Sequence, residues 1–276
     1  DQITVLPDLS AGCSMADMAN LTKVERSYRE LSKVLDFDKS ITPITYINSA
    51  ADLKAFCGDH GGVVCTSTNA PTILDWAFKK REKVLFFPDQ NLGRWTGHKM
   101  GIPLEEMPIW DPDLPLGGLD ISTIKKSKVL LWKGHCAVHQ MFRTEHIDIF
   151  RKIHPDGQVI SHPESPFEVC LNSDFVGSTE FILNTIKNSE KNTKWLVGTE
   201  LNLVNRLANE MKPEGKLVQF MSHVVCECST MARIDPQHLA WTLENILQNN
   251  PVNIIKVPLK ESISAKLALD RMLEIS

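Results

Sequence analysis

Val84-Leu85-Phe86-Phe87-Pro88-Asp89-Gln90-Asn91-Leu92-Gly93-Arg94 begins as an apolar, aromatic run, stops at a proline and passes through an acidic residue into a helical pattern. An acidic residue between a strand and a helix is suited to cap the helix N-terminus. The same passage recurs in Trp195-Leu196-Val197-Gly198-Thr199-Glu200-Leu201-Asn202-Leu203-Val204-Asn205-Arg206. Ser67 and Ser178, Asp89 and Glu200, and Asn91 and Asn202 are each 111 residues apart. Equal offsets between chemically similar positions mark an internal duplication of one strand-helix unit.

Working outward, the two copies carry matching strand ends in the same order. The first has Tyr46-Ile47-Asn48-Ser49, Cys65-Thr66-Ser67-Thr68 and Gly134-His135-Cys136. The second has Ser161-His162-Pro163-Glu164-Ser165, Val176-Gly177-Ser178-Thr179 and Cys226-Glu227-Cys228. Each copy closes on a strand, a short loop, a cysteine and an amphipathic helix. The chain opens on that same ending, from Ile3-Thr4-Val5-Leu6 through Gly12 to Cys13 and Ser14-Met15-Ala16-Asp17-Met18. Cys13, Cys136 and Cys228 are therefore equivalent positions of three like units, and the first unit is expected to be incomplete, lacking its earlier strands.

The expected strands are Ile3–Leu6, Ile44–Ile47, Val63–Thr66, Val84–Phe87, Val129–Trp132, Gln158–Ser161, Phe175–Gly177, Trp195–Val197 and Leu217–Phe220, with helices filling most gaps. This alternation predicts an α/β protein of parallel sheets. The expected division is a remnant of the first unit with a connecting helix over 1–40, α/β units over 41–135 and 136–228, and a helical segment over 229–276 that packs back on the first. The stretch Gly101–Leu119, with four prolines and no periodicity, reads as an insertion or an arm over a partner surface.

Composition narrows the function classes. The 276 residues are 42% hydrophobic and 23% charged, as in ordinary globular proteins. A formal net charge of −4 gives no basic surface for a nucleic-acid backbone, and no apolar run is long enough to span a membrane. The seven cysteines are odd in number and scattered, which fits a reducing, cytoplasmic setting better than a disulfide framework. Cys57 and Cys170 lie on apolar helical faces and Cys65 ends a strand, so these read as buried core thiols.

Three cysteines from three like units can meet on a pseudo-threefold axis as a metal site, each at a helix start where backbone N–H groups favour a thiolate. The alternative is three buried thiols without metal. Structural zinc is normally closed by four protein ligands, whereas a 4Fe-4S cluster on three cysteines leaves one iron open as a Lewis acid. Ser67 with Thr68, and Ser178 with Thr179, sit where strands enter helices and suit an anion, or simply cap the helices. His162 and Glu164 form either an acid-base pair or a solvent-exposed turn. His139, one turn after Cys136, either reaches the metal region or packs beneath it.

Taken together, these stretches resemble the quinolinate synthase family, and the match spans nearly the whole chain in the family's order. Further matching pieces are Leu6 to Asp17, Trp132 to His139 and Cys228-Ser229-Thr230-Met231. The resemblance implies three similar three-layer α/β/α domains around a pseudo-threefold axis. It implies a central 4Fe-4S cluster on Cys13, Cys136 and Cys228, with Cys226 not a ligand. The implied reaction condenses iminoaspartate with dihydroxyacetone phosphate to quinolinate, releasing phosphate and two waters, in de novo NAD biosynthesis. L-aspartate oxidase or aspartate dehydrogenase would supply the iminoaspartate.

Position by position, Tyr46 and Asn48 match residues that orient the substrate carboxylates. Ser67, Ser178 and Thr179 match phosphate- or carboxylate-binding hydroxyls, and His162 and Glu164 a proton-transfer pair. The family's catalytic tyrosine, a nearby histidine and a further serine would precede Asp1, so a chain starting there is expected to be inactive or badly impaired. Other readings are another three-cysteine iron-sulfur enzyme, such as diphthamide synthase or hydroxymethylbutenyl diphosphate reductase, or an inactive copy that only binds a partner. The Tyr46-Ile47-Asn48 and His162-Pro163-Glu164 stretches favour the synthase over the other enzymes.

Overall fold

The computed structural model describes residues 2–224 and 227–275. Its strands are β1 (Ile41–Tyr46), β2 (Val63–Cys65), β3 (Lys83–Phe87), β4 (Ile109–Trp110), β5 (Val129–Trp132), β6 (Gln158–Ser161), β7 (Phe175–Val176), β8 (Lys194–Gly198) and β9 (Leu217–Phe220). The helices are α1 (Leu21–Leu31), α2 (Phe37–Ser40), α3 (Ala51–Asp59), α4 (Ala70–Lys80), α5 (Gln90–Lys99), α6 (Ile121–Lys126), α7 (Thr144–Ile153), α8 (Phe167–Asn172), α9 (Thr179–Lys187), α10 (Leu201–Met211), α11 (Pro236–Leu247) and α12 (Leu259–Ile275). No helix among the described residues is long and apolar enough to cross a membrane.

Two parallel sheets form, one ordered β2-β1-β3-β5-β4 and the other β7-β6-β8-β9. Apart from the edge strand β4, the two orders are the same, so the duplication read from the 111-residue offset is also a duplication of topology. Burial follows from the layering. Every residue of β1 and β3 is buried, as required of strands covered on both faces. Along the second sheet, residues alternate between two clusters: Val159 and Leu196 join Ile147, Phe150 and Val169 of α7 and α8. Ile160, Trp195 and Val197 instead join Ile182, Ile186, Val204 and Leu207 of α9 and α10. The sheet is thus the middle of three layers.

One expected strand is absent. Ile3–Leu6 is no strand of a parallel sheet; Val5 makes an isolated antiparallel bridge with Ile254, flanked by Leu6 N donating to Asn253 O and Ile255 N to Thr4 O. Alternation in a sequence cannot reveal whether a neighbouring strand exists. Residues 253–255 thus lie beside 4–6, while α12 packs on α3 and β2 of the five-stranded unit. That contact is close: a Cβ at Gly58 would lie 1.8 Å from Ser264 O, and Arg271 donates to the carbonyls of Gly58 and Gly62.

Gly101–Leu119, expected as an insertion or an arm over a partner surface, carries β4, the one strand that has no counterpart in the second sheet. β4 adds to β5, Trp110 is fully buried, and its Nε1 donates to Ser27 Oγ at 2.8 Å. Gly117 has φ of 65° and lies flat against the indole, where any Cβ would clash with the ring at 2.3 Å.

Candidate active site

Apart from Cys13, whose preceding segment joins no parallel sheet, the site residues lie at or after carboxyl ends of parallel strands, where open α/β sheets present their ligands. The β1–β2 register sets Tyr46 beside Cys65, and the β6–β8 register sets Ser161 beside Gly198, so loops from both sheets open toward a shared space. Cys13, Cys136 and Cys228 sit in the same local frame. Each begins a turn in which the residue four on donates to the cysteine carbonyl: Asp17 to Cys13 at 3.1 Å, Gln140 to Cys136 at 2.9 Å and Ala232 to Cys228 at 2.9 Å. One-turn 3-10 helices follow at Ala16–Met18, His139–Met141 and Met231–Arg233, then α1, α7 and α11. The thiols therefore lie not at helix starts, as expected, but one turn ahead of a 3-10 helix, with the α-helix later still.

A cavity of about 320 Å³ is lined by Cys13, Cys136 and Cys228 together with Tyr46, Asn48, His162, Glu164 and Thr179. These three cysteines are free and half-buried, whereas Cys57, Cys65 and Cys170 are buried in the core. Cys226 lies outside the described residues. Asn48 Nδ2 approaches Cys13 Sγ at 4.0 Å, and Cys228 Sγ lies 3.3 Å from Thr230 Oγ1. Ser67 and Ser178, expected in the same site, line a neighbouring cavity of about 330 Å³ with Trp95, Pro163 and Phe181. Ser178 is the N-cap of α9, accepting from Phe181 N, which turns its hydroxyl into the helix end while Thr179 faces the first cavity.

His162 and Glu164 are buried, not on an exposed turn. The close partner of Glu164 is His139: its Nδ1 lies 3.2 Å from Glu164 Oε2, against 3.9 Å for His162 Nδ1. The two imidazoles stack with centroids 4.9 Å apart. Sequence reasoning left His139 ambiguous because the pairing joins two loops remote in the chain. Glu200 and Thr199 also line the cavity and were not expected to; Glu200 additionally caps α10 by accepting from Leu203 N, just as Asp89 caps α5.

Burial shapes the electrostatics. It lowers the His162 imidazole to about 4, leaving that ring neutral. Burial alone would lower His139 too, but the Cys136 thiol and Glu164 carboxylate beside it raise it to about 10. Burial would likewise raise Glu164, yet the flanking His162 and His139 hold it down at about 2. The result is a buried carboxylate beside an imidazolium. Burial raises the Cys13 thiol, with Glu164 and Cys136 adding to the rise, and it raises the Tyr46 phenol far above its ordinary value. Burial and the neighbouring Glu164 also push the Asp89 carboxyl well above the usual carboxylate range.

The two sheets meet at α5. Buried Asn91, at its start, donates through Nδ2 to the backbone carbonyl of Glu164 at 3.1 Å. One face farther along, His98 and Trp95 pack on Phe167 of α8, with centroids 5.0 and 6.3 Å away. Asn202, the counterpart of Asn91, donates to Glu227 Oε1 at 3.0 Å, one residue before Cys228.

A family model described as Quinolinate synthetase A protein matches residues 1–274. A Rhodopirellula baltica protein named quinolinate synthase is 54% identical over 272 residues, covering 98% of this chain and 69% of that protein. Proteins of the same name from Herpetosiphon aurantiacus and Bacillus cereus are 49% and 46% identical, covering 100% and 99% of this chain and 74% and 73% of theirs. Matches of this depth over nearly every residue, joined to a cavity that gathers the chemically active loops, settle the kinship: the chain belongs to the quinolinate synthetase A protein family.

Proposed function

We propose that this protein is a cytoplasmic quinolinate synthase of de novo NAD biosynthesis. It would condense iminoaspartate with dihydroxyacetone phosphate, releasing inorganic phosphate and two waters with no net electron transfer. The observation that carries the reading is the gathering of Cys13, Cys136 and Cys228 with Tyr46, Asn48, His162 and Glu164 on one cavity. An enzyme or other route that oxidises aspartate to its imine would have to provide the first substrate.

The donor set suits a 4Fe-4S cluster on Cys13, Cys136 and Cys228. The three thiols are free and line one cavity. Structural zinc is normally closed by four protein ligands, whereas a 4Fe-4S cluster held by three cysteines leaves one iron open. When bound, such a cluster supplies an open, Lewis-acidic iron for the dehydrations.

The chain's own residues do the remaining work. Tyr46, kept protonated by burial, donates a hydrogen bond, and Asn48 offers both donor and acceptor for a substrate carboxylate. Thr179, at the start of α9, adds a hydroxyl donor to the same cavity. Ser67 and Ser178 in the adjoining cavity would hold the phosphate end. Glu164, paired with the His139 imidazolium, and the neutral His162 beside it form the group that moves protons during ring formation. Loss of a positioned acid-base group costs about 10²–10⁴-fold in rate. Quinolinate formed from the two substrates by anaerobically prepared protein tests the reading. Glu164→Gln is expected to lower turnover by about that factor; unaltered turnover removes Glu164 from the chemistry.

A further inference from the structure

We propose that, when no cluster is present, Cys136, His139 and Glu164 form a binding site for a single zinc ion. The site is independent of the reaction assigned above, because it is built from side-chain geometry alone. Cys136 and His139 stand one turn apart, the turn closed by Gln140 N on Cys136 O, so thiol and imidazole leave the backbone toward the same side. Glu164 meets them from the loop after β6. Their ligand atoms all lie within 4.8 Å of one another.

Distances match zinc. Tetrahedral zinc with Zn–N and Zn–O bonds of about 2.0–2.2 Å places those two donors about 3.4 Å apart; His139 Nδ1 and Glu164 Oε2 are 3.2 Å apart. The sulfur must settle about 3.6 Å from the nitrogen, and the three ligand atoms already lie within 4.8 Å of one another. A second feature points to a ligand: the His139 ring, in a side chain only 9% exposed, makes no well-formed hydrogen bond and is faced by the Cys136 thiol and the Glu164 carboxylate, the other two members of the set. Buried polar groups need good partners, and a metal bond to a ring nitrogen supplies one.

Chemistry selects the ion. One sulfur, one imidazole nitrogen and one carboxylate oxygen form a mixed, borderline-soft set, which suits zinc over magnesium or calcium. Thiolate and carboxylate together balance the dipositive charge. Three protein ligands leave a fourth position toward the cavity, where water completes the tetrahedron. Since Cys136 belongs to both donor sets, zinc and the 4Fe-4S cluster exclude each other.

The test is cobalt(II), as a coloured stand-in, followed by zinc, titrated into reduced, chelator-stripped full chain under anaerobic conditions. We expect one equivalent bound, with tetrahedral ligand-field bands and a single thiolate-to-cobalt charge-transfer band, all bleached by zinc. Losing a residue that merely orients a metal ligand already costs about 10–100-fold in affinity, and His139→Gln and Glu164→Gln should each cost no less. Cys13→Ala and Cys228→Ala should bind zinc as the parent does. Near-parental affinity in both His139→Gln and Glu164→Gln overturns the site, as does equal loss in the two alanine variants. X-ray absorption at the zinc edge of the unmutated protein probes the same ligands without variants: one sulfur neighbour is expected, and three would refute the assignment. Iron uptake, measured separately, should be blocked by prior zinc in the parent and restored in His139→Gln.

Discussion

Replacing Asn91 by alanine removes a single hydrogen bond, but one that ties the five-stranded unit to the loop carrying Glu164. The donor Nδ2 lies 3.1 Å from the Glu164 carbonyl, and Asn91 is 5% exposed, so water cannot substitute freely. An unsatisfied buried carbonyl costs about 1–3 kcal/mol. For a chain of this size that amounts to a fall in Tm of about 2–12 °C. The Glu164 carboxylate belongs to the same residue as the released carbonyl, so part of the loss should fall on catalysis. If all of it appeared in the transition state, turnover would drop by up to about a hundredfold. The assay pairs thermal unfolding with steady-state quinolinate formation. A KM nearly unchanged with reduced kcat is expected, because the contact positions an acid-base group and touches no substrate. Asn91→Asp should be worse, since it aims a carboxylate at a carbonyl oxygen. If Asn91→Ala lowers Tm while leaving kcat intact, the contact is merely structural and the positioning argument fails.

Three further outcomes are expected. Cys228→Ala should abolish iron retention and the broad visible absorption of the anaerobically prepared protein, whereas Cys57→Ala, altering a core thiol, should keep both; equal loss would mean the ligands are misassigned. Gly134→Ala should lower stability by about 1–3 kcal/mol and reduce iron content, because its Cβ would lie 2.2 Å from Pro88 O and press on the loop to Cys136; parental unfolding and iron would refute that. Between pH 6.5 and about 4 the unfolded chain binds the proton that buried His162 refuses, so cluster-free protein should lose stability relative to His162→Asn as the pH falls through that window. His139 and Glu164 remain in both proteins, and parallel pH profiles would show that His162 is not held neutral.

Most strands were legible because parallel strands buried on both faces read as short apolar runs: β1, β3 and β5 needed nothing beyond hydropathy and their flanking turn residues. β4 was not, since two residues among prolines carry no period, and the fully buried Trp110 is fixed by Ser27 and Gly117, neither of them its neighbour in sequence. Ile3–Leu6 failed in the opposite direction, having the composition of a strand and no sheet to join. The loops lining the cavity followed from their places at strand ends. Which hydroxyl of Ser178-Thr179 faces it did not, because capping geometry decides that. Nor did the pairing of Glu164 with His139, which depends on how two sheets are set against each other.

The recurring turn in which the fourth residue donates back to each cysteine has one more implication. It makes every thiol a peg on a stiff bracket, so the triangle drawn by the three sulfurs is governed by how the units are mounted, not by loop slack around each peg. Damage at a distant mounting point such as α5 should then be announced first by iron leaking away, while circular dichroism still looks untouched.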